Sequence, residues 1–305
     1  VHLFKIGTKN LKYQKGTLNM QKIKLGVIVT SLYIKLNDKE IEFASEKLGK
    51  YFDVKLYLPK SEPDEFGTIP IPQMVELINF ASSECEVLLS LCGGFNQVEL
   101  LQNFGKLKLR KENIFVGQSD NTILVNTLPA LGICKGLYGK GFYDMATDKS
   151  NIFEMVEELF TSVTELKLDK VSSGSPTLVG GNNYTFDLLQ GTRFCPKFNK
   201  PFILFMEGED ILKDSSETWV DFIRNIDSIM LQEGAVSNLK GLVIARFPDP
   251  IKISNAQLDK FIKDRTYLKN VPILTDYSCG HNKDSFKYLP IGGKVSLEML
   301  NLISI

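Results

Sequence analysis

Histidine is nearly absent from this chain. Only two occur in 305 residues, His2 and His281. Any mechanism that needs an imidazole must draw on one of them. His2 falls in a polar, lysine-bearing stretch, Val1 to Asn19, that carries no apolar pattern, so His281 is the candidate. Charge of one sign is also missing. Lys and Arg number 36 and Asp and Glu 36, and this balance gives no reason to expect a nucleic-acid or anionic-membrane partner. No apolar run approaches the ~18 residues of a membrane span. Val1 to Asn19 contains no apolar h-region, so it does not read as a secretory signal. Met20 reads as the start of the folded region, with the preceding residues as an extension. Five cysteines stand at irregular spacing with no Cys-x-x-Cys. They read as free thiols in a reducing compartment, the cytoplasm.

What is present is a full core, with 43% hydrophobic and 24% charged residues, organised as alternating strands and helices. Lys24 to Val29 reads as a buried strand. Asn37 with Glu40 forms a capping box for a helix running to about Tyr51. A strand over Val54 to Leu58 follows. Pro72 sits in the first turn of a helix reaching Ser83. The apolar run Cys85 to Leu91 ends at Gly93-Gly94, and a helix begins near Gln97. Asn113 to Val116 and Ile133 to Tyr138 read as further strands. Asn151 and Glu154 predict a second capping box, on an amphipathic helix to Leu166. The Ser-, Gly- and Asn-rich stretch from Asp169 to Asn183 reads as a crossover. Beyond it the alternation resumes: strand Phe202 to Met206, helix Thr218 to Leu231, strand Gly241 to Ala245, helix Asn255 to Arg265, strand Val271 to Thr275, then short β segments. The predicted fold is α/β. An N-terminal doubly wound parallel-sheet domain spans 20–145, a connecting helix and crossover 146–182, and a smaller C-terminal α/β domain 183–305, with the active site at their interface.

In such sheets ligands bind beyond the carboxyl ends of the strands. Gly117-Gln118-Ser119-Asp120 lies at one of these ends, between an apolar strand and an apolar helix. A serine on a sharp strand-to-helix turn has its hydroxyl lifted above the sheet edge, next to the amides of the following helix. The Gly-x-Ser-x-Gly elbow is half met, because Asn121 stands at the second glycine. A simple capped turn gives the same pattern. A nucleophilic serine needs a base, and the base needs an orienting carboxylate. Glu207 ends the wholly apolar strand Phe202 to Met206; Glu209 and Asp210 beside it read as solvated or capping acids. Gly93-Gly94 reads as a tight turn whose amides could also face an oxyanion. Cys92, at a strand end, is a rival nucleophile, although a strand cysteine is usually a small buried hydrophobe.

Five segments in order resemble the LD-carboxypeptidase family of serine peptidases, which includes the microcin C immunity peptidases. They are Cys92-Gly93-Gly94-Phe95-Asn96, Gly117-Gln118-Ser119-Asp120, Gly180-Gly181-Asn182, Leu204-Phe205-Met206-Glu207, and Gly280-His281 with Pro290-Ile291-Gly292-Gly293. The resemblance implies Ser119 as nucleophile, His281 as base and Glu207 as the acid orienting it. It implies backbone amides of Gly94 and Asp120 as the oxyanion hole, and Gly93, Gln118 and Asn182 as substrate contacts. It further implies no metal or other cofactor, a homodimer, and a small peptide or muropeptide substrate cleaved next to a terminal carboxylate, releasing D-Ala from a murein tetrapeptide. The immunity branch of the family instead cleaves aminoacyl-nucleotide carboxamides, and a non-catalytic binding protein could keep the same two-domain cleft. Gln118 replaces the family's usual aromatic and is the position where altered substrate choice is expected; Cys92 replaces the arginine of many members, which removes a contact to the substrate's carboxylate.

Overall fold

The computed structural model describes residues 22–168, 175–209, 215–249, 251 and 253–303. The extension before Met20, His2, Asp210 and part of the Asp169–Asn183 stretch lie outside these residues. Among the described residues nine strands fall into two sheets. The first is built from β1 (Ile23–Ile28), α1 (Asp38–Leu48), β2 (Phe52–Tyr57), α2 (Ile71–Glu84), β3 (Val87–Ser90), α3 (Gln97–Gln102), β4 (Ile114–Gly117), α4 (Thr122–Ala130) and β5 (Lys135–Tyr138). Two helices, α5 (Phe142–Thr147) and α6 (Ile152–Lys167), lead away from it. The second comprises β6 (Thr177–Asn182), α7 (Asn183–Asp187), β7 (Phe202–Glu207), α8 (Ser215–Met230), α9 (Ala235–Asn238), β8 (Leu239–Ala245), α10 (Asn255–Asp264) and β9 (Ile273–Tyr277), with α11 (Leu297–Ile303) after it.

Both sheets are parallel throughout, in the orders β2-β1-β3-β4-β5 and β6-β7-β8-β9. The first order reverses between β1 and β3, the place where doubly wound sheets open a crevice beyond their carboxyl ends. The α/β reading of the sequence therefore describes the molecule. Three local expectations need correction. Asn37 and Glu40 do form a capping box, but Asn151 makes no side-chain cap; its amide instead donates to Asp148. Residues 177–182 form β6 rather than a crossover, because Gly180 and Gly181 carry no β signal in the sequence. The last segment pairs only through isolated bridges and then forms α11, a helix the pattern did not reveal.

Strand β7 shows how the two sheets join. Its alternate side chains Ile203 and Phe205 enter a core shared with Leu137, Tyr138 and Tyr277, while Phe202, Leu204 and Met206 enter a second core under α8. That alternation is the period of two of a strand with both faces covered. Phe205 packs edge-on against Tyr138 of the first sheet, with ring centroids 5.5 Å apart. The backbone of 289–295 closes the seam. Tyr138 and Leu289 exchange hydrogen bonds of 2.8 and 2.9 Å, Gly292 donates to Leu178 O at 2.7 Å, and Leu178 donates to Gly293 O at 2.9 Å. Among the described residues, no helix is long and apolar enough to cross a membrane.

Phe205→Ala should cost about 3–5 kcal/mol, because it empties the seam between two sheets that cannot collapse independently. Urea unfolding of the variant measures this; a loss under 1 kcal/mol would show that the seam does not hold the sheets together.

Candidate active site

The turn after β4 is strained, and its strain is held by side chains. Ser119 has φ 59°, in the left-handed region that costs a side-chain-bearing residue free energy. It opens a single 3-10 turn, Ser119–Asn121, that runs into α4. Asn121, at the position of the elbow's second glycine, is fully buried. Its Nδ2 donates to the carbonyls of Gln118 (3.0 Å) and Cys92 (3.1 Å). Its Oδ1 accepts from Thr30 Oγ1 (2.6 Å) and Gln97 Nε2 (2.9 Å). The Asp120 carboxylate accepts from Ser31 Oγ and from the Gln97 amide; burial raises its pKa, while these hydrogen bonds act to lower it. The elbow is thus tied to the ends of both β1 and β3, on either side of the crevice.

Gly93 is required by close approach. A Cβ there would stand 2.6 Å from the Ser119 Cβ and 3.0 Å from its Oγ, with the Asp120 nitrogen at 3.5 Å. Gly94 instead packs against Ser31 and Leu32. Cys92 is buried, and its thiol donates to Leu32 O at 3.1 Å. Burial pushes the thiol pKa up to about 12, so at neutral pH Cys92 is not a thiolate, the form a cysteine nucleophile needs.

Glu207 ends β7 with no solvent exposure. Its carboxylate accepts from the Tyr138 hydroxyl, from the His281 backbone N–H at 2.8 Å, and from His281 Nδ1 at 2.8 Å. Gly280, at φ 108°, lets the loop after β9 reach that carboxylate; a Cβ there would run into it. Burial alone would raise the Glu207 pKa, but the His281 charge and hydrogen bonds and the Tyr138 hydroxyl hold it below the ordinary carboxylate value. For His281, burial lowers the pKa, and the charge and hydrogen bond of Glu207 together with the charge of Glu209 outweigh it and lift it to about 9.

Tyr138, the last residue of β5, joins the two halves. It lies in register with Gly117, accepts from the Ser119 N–H at 3.0 Å, and donates to Glu207. The Ser119 amide is therefore occupied by Tyr138. Asn182 caps α7 through its Oδ1, and its side chain also faces Glu209, where its hydrogen bond acts to lower that acid's pKa. Gln118 is buried, with its Oε1 unpartnered.

Glu209 corrects the sequence reading. It is not a solvated acid: its side chain is 13% exposed, and its Oε2 lies 3.2 Å from His281 Nε2 and 3.4 Å from Ser119 Oγ. Burial raises its pKa, and the His281 charge opposes that rise. The structure therefore brings Ser119, Glu207 and His281 together, with Glu209 between the hydroxyl and the imidazole. Glu209 lies beyond the end of β7, in a stretch whose sequence carries no signal for that position. Tyr138 and Asn121 were also missed. An aromatic ending a strand reads as core, and Asn121 was visible only as a missing glycine.

Two parallel sheets and an acid–imidazole pair beside a strained serine turn make this an α/β protein with a candidate hydrolytic site. Residues 175–297 match the family described as the LD-carboxypeptidase C-terminal domain. "Putative carboxypeptidase YocD" of Bacillus subtilis (strain 168) is 26% identical over 326 aligned positions, covering 95% of this chain and 96% of that protein. The fold is shared with an MccF-like protein from Bacillus anthracis str. Ames (TM-score 0.77, 22% identity, 91% of this chain and 95% of that one). It is also shared with a muramoyltetrapeptide carboxypeptidase from Oxalobacter formigenes (TM-score 0.67, 22% identity, 88% and 92%). Residues 175–297 thus carry the C-terminal domain of the LD-carboxypeptidase family, and the likeness to curated carboxypeptidases over most of the chain supports that family.

Because the His281 pKa in the folded protein exceeds its unfolded value, the charged imidazole contributes stability that is fully present below about pH 6.5 and lost as pH rises through about 9. NMR titration of His281 should give an apparent pKa near 9, and Glu207→Gln should lower it. An unshifted His281 in the variant would show that Glu207 does not hold the imidazole's charge.

Proposed function

We propose that this protein is a serine-type carboxypeptidase in which Ser119 is the nucleophile, His281 the general base and Glu207 the carboxylate that orients it. The observation that carries this reading is the Glu207–His281 pair. Nδ1 and the backbone N–H of His281 are both bound to one buried carboxylate, which fixes the tautomer and leaves Nε2 directed toward the Ser119 side of the site. Nε2 takes the Ser119 proton, Oγ adds to the scissile carbonyl, and the leaving amine departs with that proton. Water, deprotonated by the same imidazole, then hydrolyses the acyl-enzyme. The amides of Asp120 and Gly94 are assigned to the oxyanion, the role the family resemblance gives them; the Ser119 N–H is already bound to Tyr138. Gln118, Gly93 and Asn182 are assigned to the substrate. The unpartnered Gln118 Oε1 supports the role of that residue.

The leading substrate is an amide next to a terminal carboxylate, the L,D bond whose cleavage releases D-Ala from a murein tetrapeptide. The fold shared with a muramoyltetrapeptide carboxypeptidase supports this. The fold shared with an MccF-like protein supports a second reading, an amidase acting on aminoacyl-nucleotide carboxamides. The family resemblance adds a homodimer working in the cytoplasm to either.

With murein tetrapeptide as substrate, wild-type protein should release D-Ala, and Ser119→Ala should reduce kcat/KM by roughly 10,000-fold or more. Because His281 must be neutral to act, kcat/KM should climb with pH toward about 9. A folded wild type inert on this substrate, yet active on aminoacyl sulfamoyl adenosines, would decide for the second reading. Activity lost in Cys92→Ser but kept in Ser119→Ala would instead make the cysteine the nucleophile.

A further inference from the structure

Glu209 occupies a position that the proposed reaction cannot leave as it stands. One oxygen, Oε2, touches both His281 Nε2 and Ser119 Oγ. The imidazole is thereby held between two carboxylates, Glu207 on Nδ1 and Glu209 on Nε2. Both ring nitrogens then carry protons, and Nε2 has no lone pair with which to accept the Ser119 proton. Removing that proton exposes the opposite difficulty. A neutral His281 leaves Glu209 a largely buried carboxylate without a cation, which is costly. Among the described residues no Lys or Arg forms an ion pair with it. Lys140, the other buried cation of this region, stands 3.8 Å from Asp144.

A substrate that brings its own cation resolves both difficulties. In the acyl adduct, Ser119 Oγ is bonded to the carbonyl carbon of the acyl residue. An amino group on that residue's α-carbon is two bonds from the same carbon, so it falls within a few ångströms of Oγ, where the Glu209 carboxylate stands. We propose that Glu209 determines specificity by pairing with an ammonium group on the acyl residue of the substrate, and that this pairing draws the carboxylate off Nε2 and frees His281 to act as base. The same chemistry has two sources, the α-ammonium of an unblocked aminoacyl group and the side-chain ammonium of a diamino acid. An acyl residue without any ammonium leaves Glu209 on the imidazole and is a poor substrate. The inference rests on the serine hydrolase reading above.

The test uses three dipeptides: L-Lys-D-Ala, its Nα-acetyl derivative and its Nα,Nε-diacetyl derivative. In wild-type protein, kcat/KM for D-Ala release should fall roughly 10- to 100-fold when the recognised ammonium is blocked, the scale of a hydrogen-bonded buried charge. A fall at the first acetylation identifies the α-ammonium, and a fall only at the second identifies the side chain. Glu209→Gln, which keeps shape and removes charge, should compress the spread to about threefold or less. An undiminished spread in Glu209→Gln overturns the proposal. Calorimetry on Ser119→Ala, with and without Glu209→Gln, reads the same discrimination without turnover. Discrimination that depends on Glu209 in binding, with no D-Ala release by the wild type, defeats the carboxypeptidase reading and keeps the ammonium site. Release, or binding to Ser119→Ala, that ignores Glu209 does the reverse, and failure of Ser119→Ala to bind any of the three overturns the ammonium site, with the carboxypeptidase reading judged by D-Ala release alone.

Discussion

The architecture depends on one buried carboxylate. Glu207 has no contact with solvent, so its charge is tolerable only while its oxygens are filled by donors. Those donors come from different parts of the chain: Tyr138 from the first sheet, and the backbone and ring of His281 from the loop after β9. Satisfying Glu207 therefore places the imidazole, and it fixes Tyr138, whose hydroxyl also accepts from the Ser119 amide. A single electrostatic requirement sets the serine turn and the imidazole in one frame, although 162 positions separate them in sequence.

The other half of the site is held by neutral polar groups. Asn121 meets four partners and Gln97 three, and between them they fasten the strained serine turn to the ends of β1 and β3. A fully satisfied buried network of this kind is stiff. The division suits the proposed chemistry. The nucleophile needs a fixed backbone angle, and the base needs a fixed tautomer and an adjustable charge.

Much of this was legible in the sequence, because each strand end announces itself. Ser119, Glu207 and Cys92 each close an apolar run, and His281 is the one histidine that follows such a run. The α/β alternation was equally visible, because strands buried on both faces leave continuous apolar stretches. What stayed hidden follows from the same logic. Gly180 and Gly181 give β6 the composition of a loop. Tyr138 looks like one more core aromatic until its hydroxyl is seen between Ser119 and Glu207. Glu209 looks like a helix-start acid, since composition cannot say that its side chain lies against His281 and Ser119. The pairing of 289–295 rests on backbone groups alone, which no side-chain pattern records.

That last segment gives the protein a temporal order. During synthesis the serine turn can form once β5 has emerged, and Glu207 follows with β7. The imidazole and the backbone of 289–295, which pairs with Tyr138 and Leu178, follow the strands of both sheets in sequence. Until His281 is added, a growing chain has the serine turn and the acid but not the imidazole that pairs with Glu207. On the proposed reading, the base and the backbone that closes the seam are made after the nucleophile and the acid, so the hydroxyl gains its activator only when the two sheets can close together.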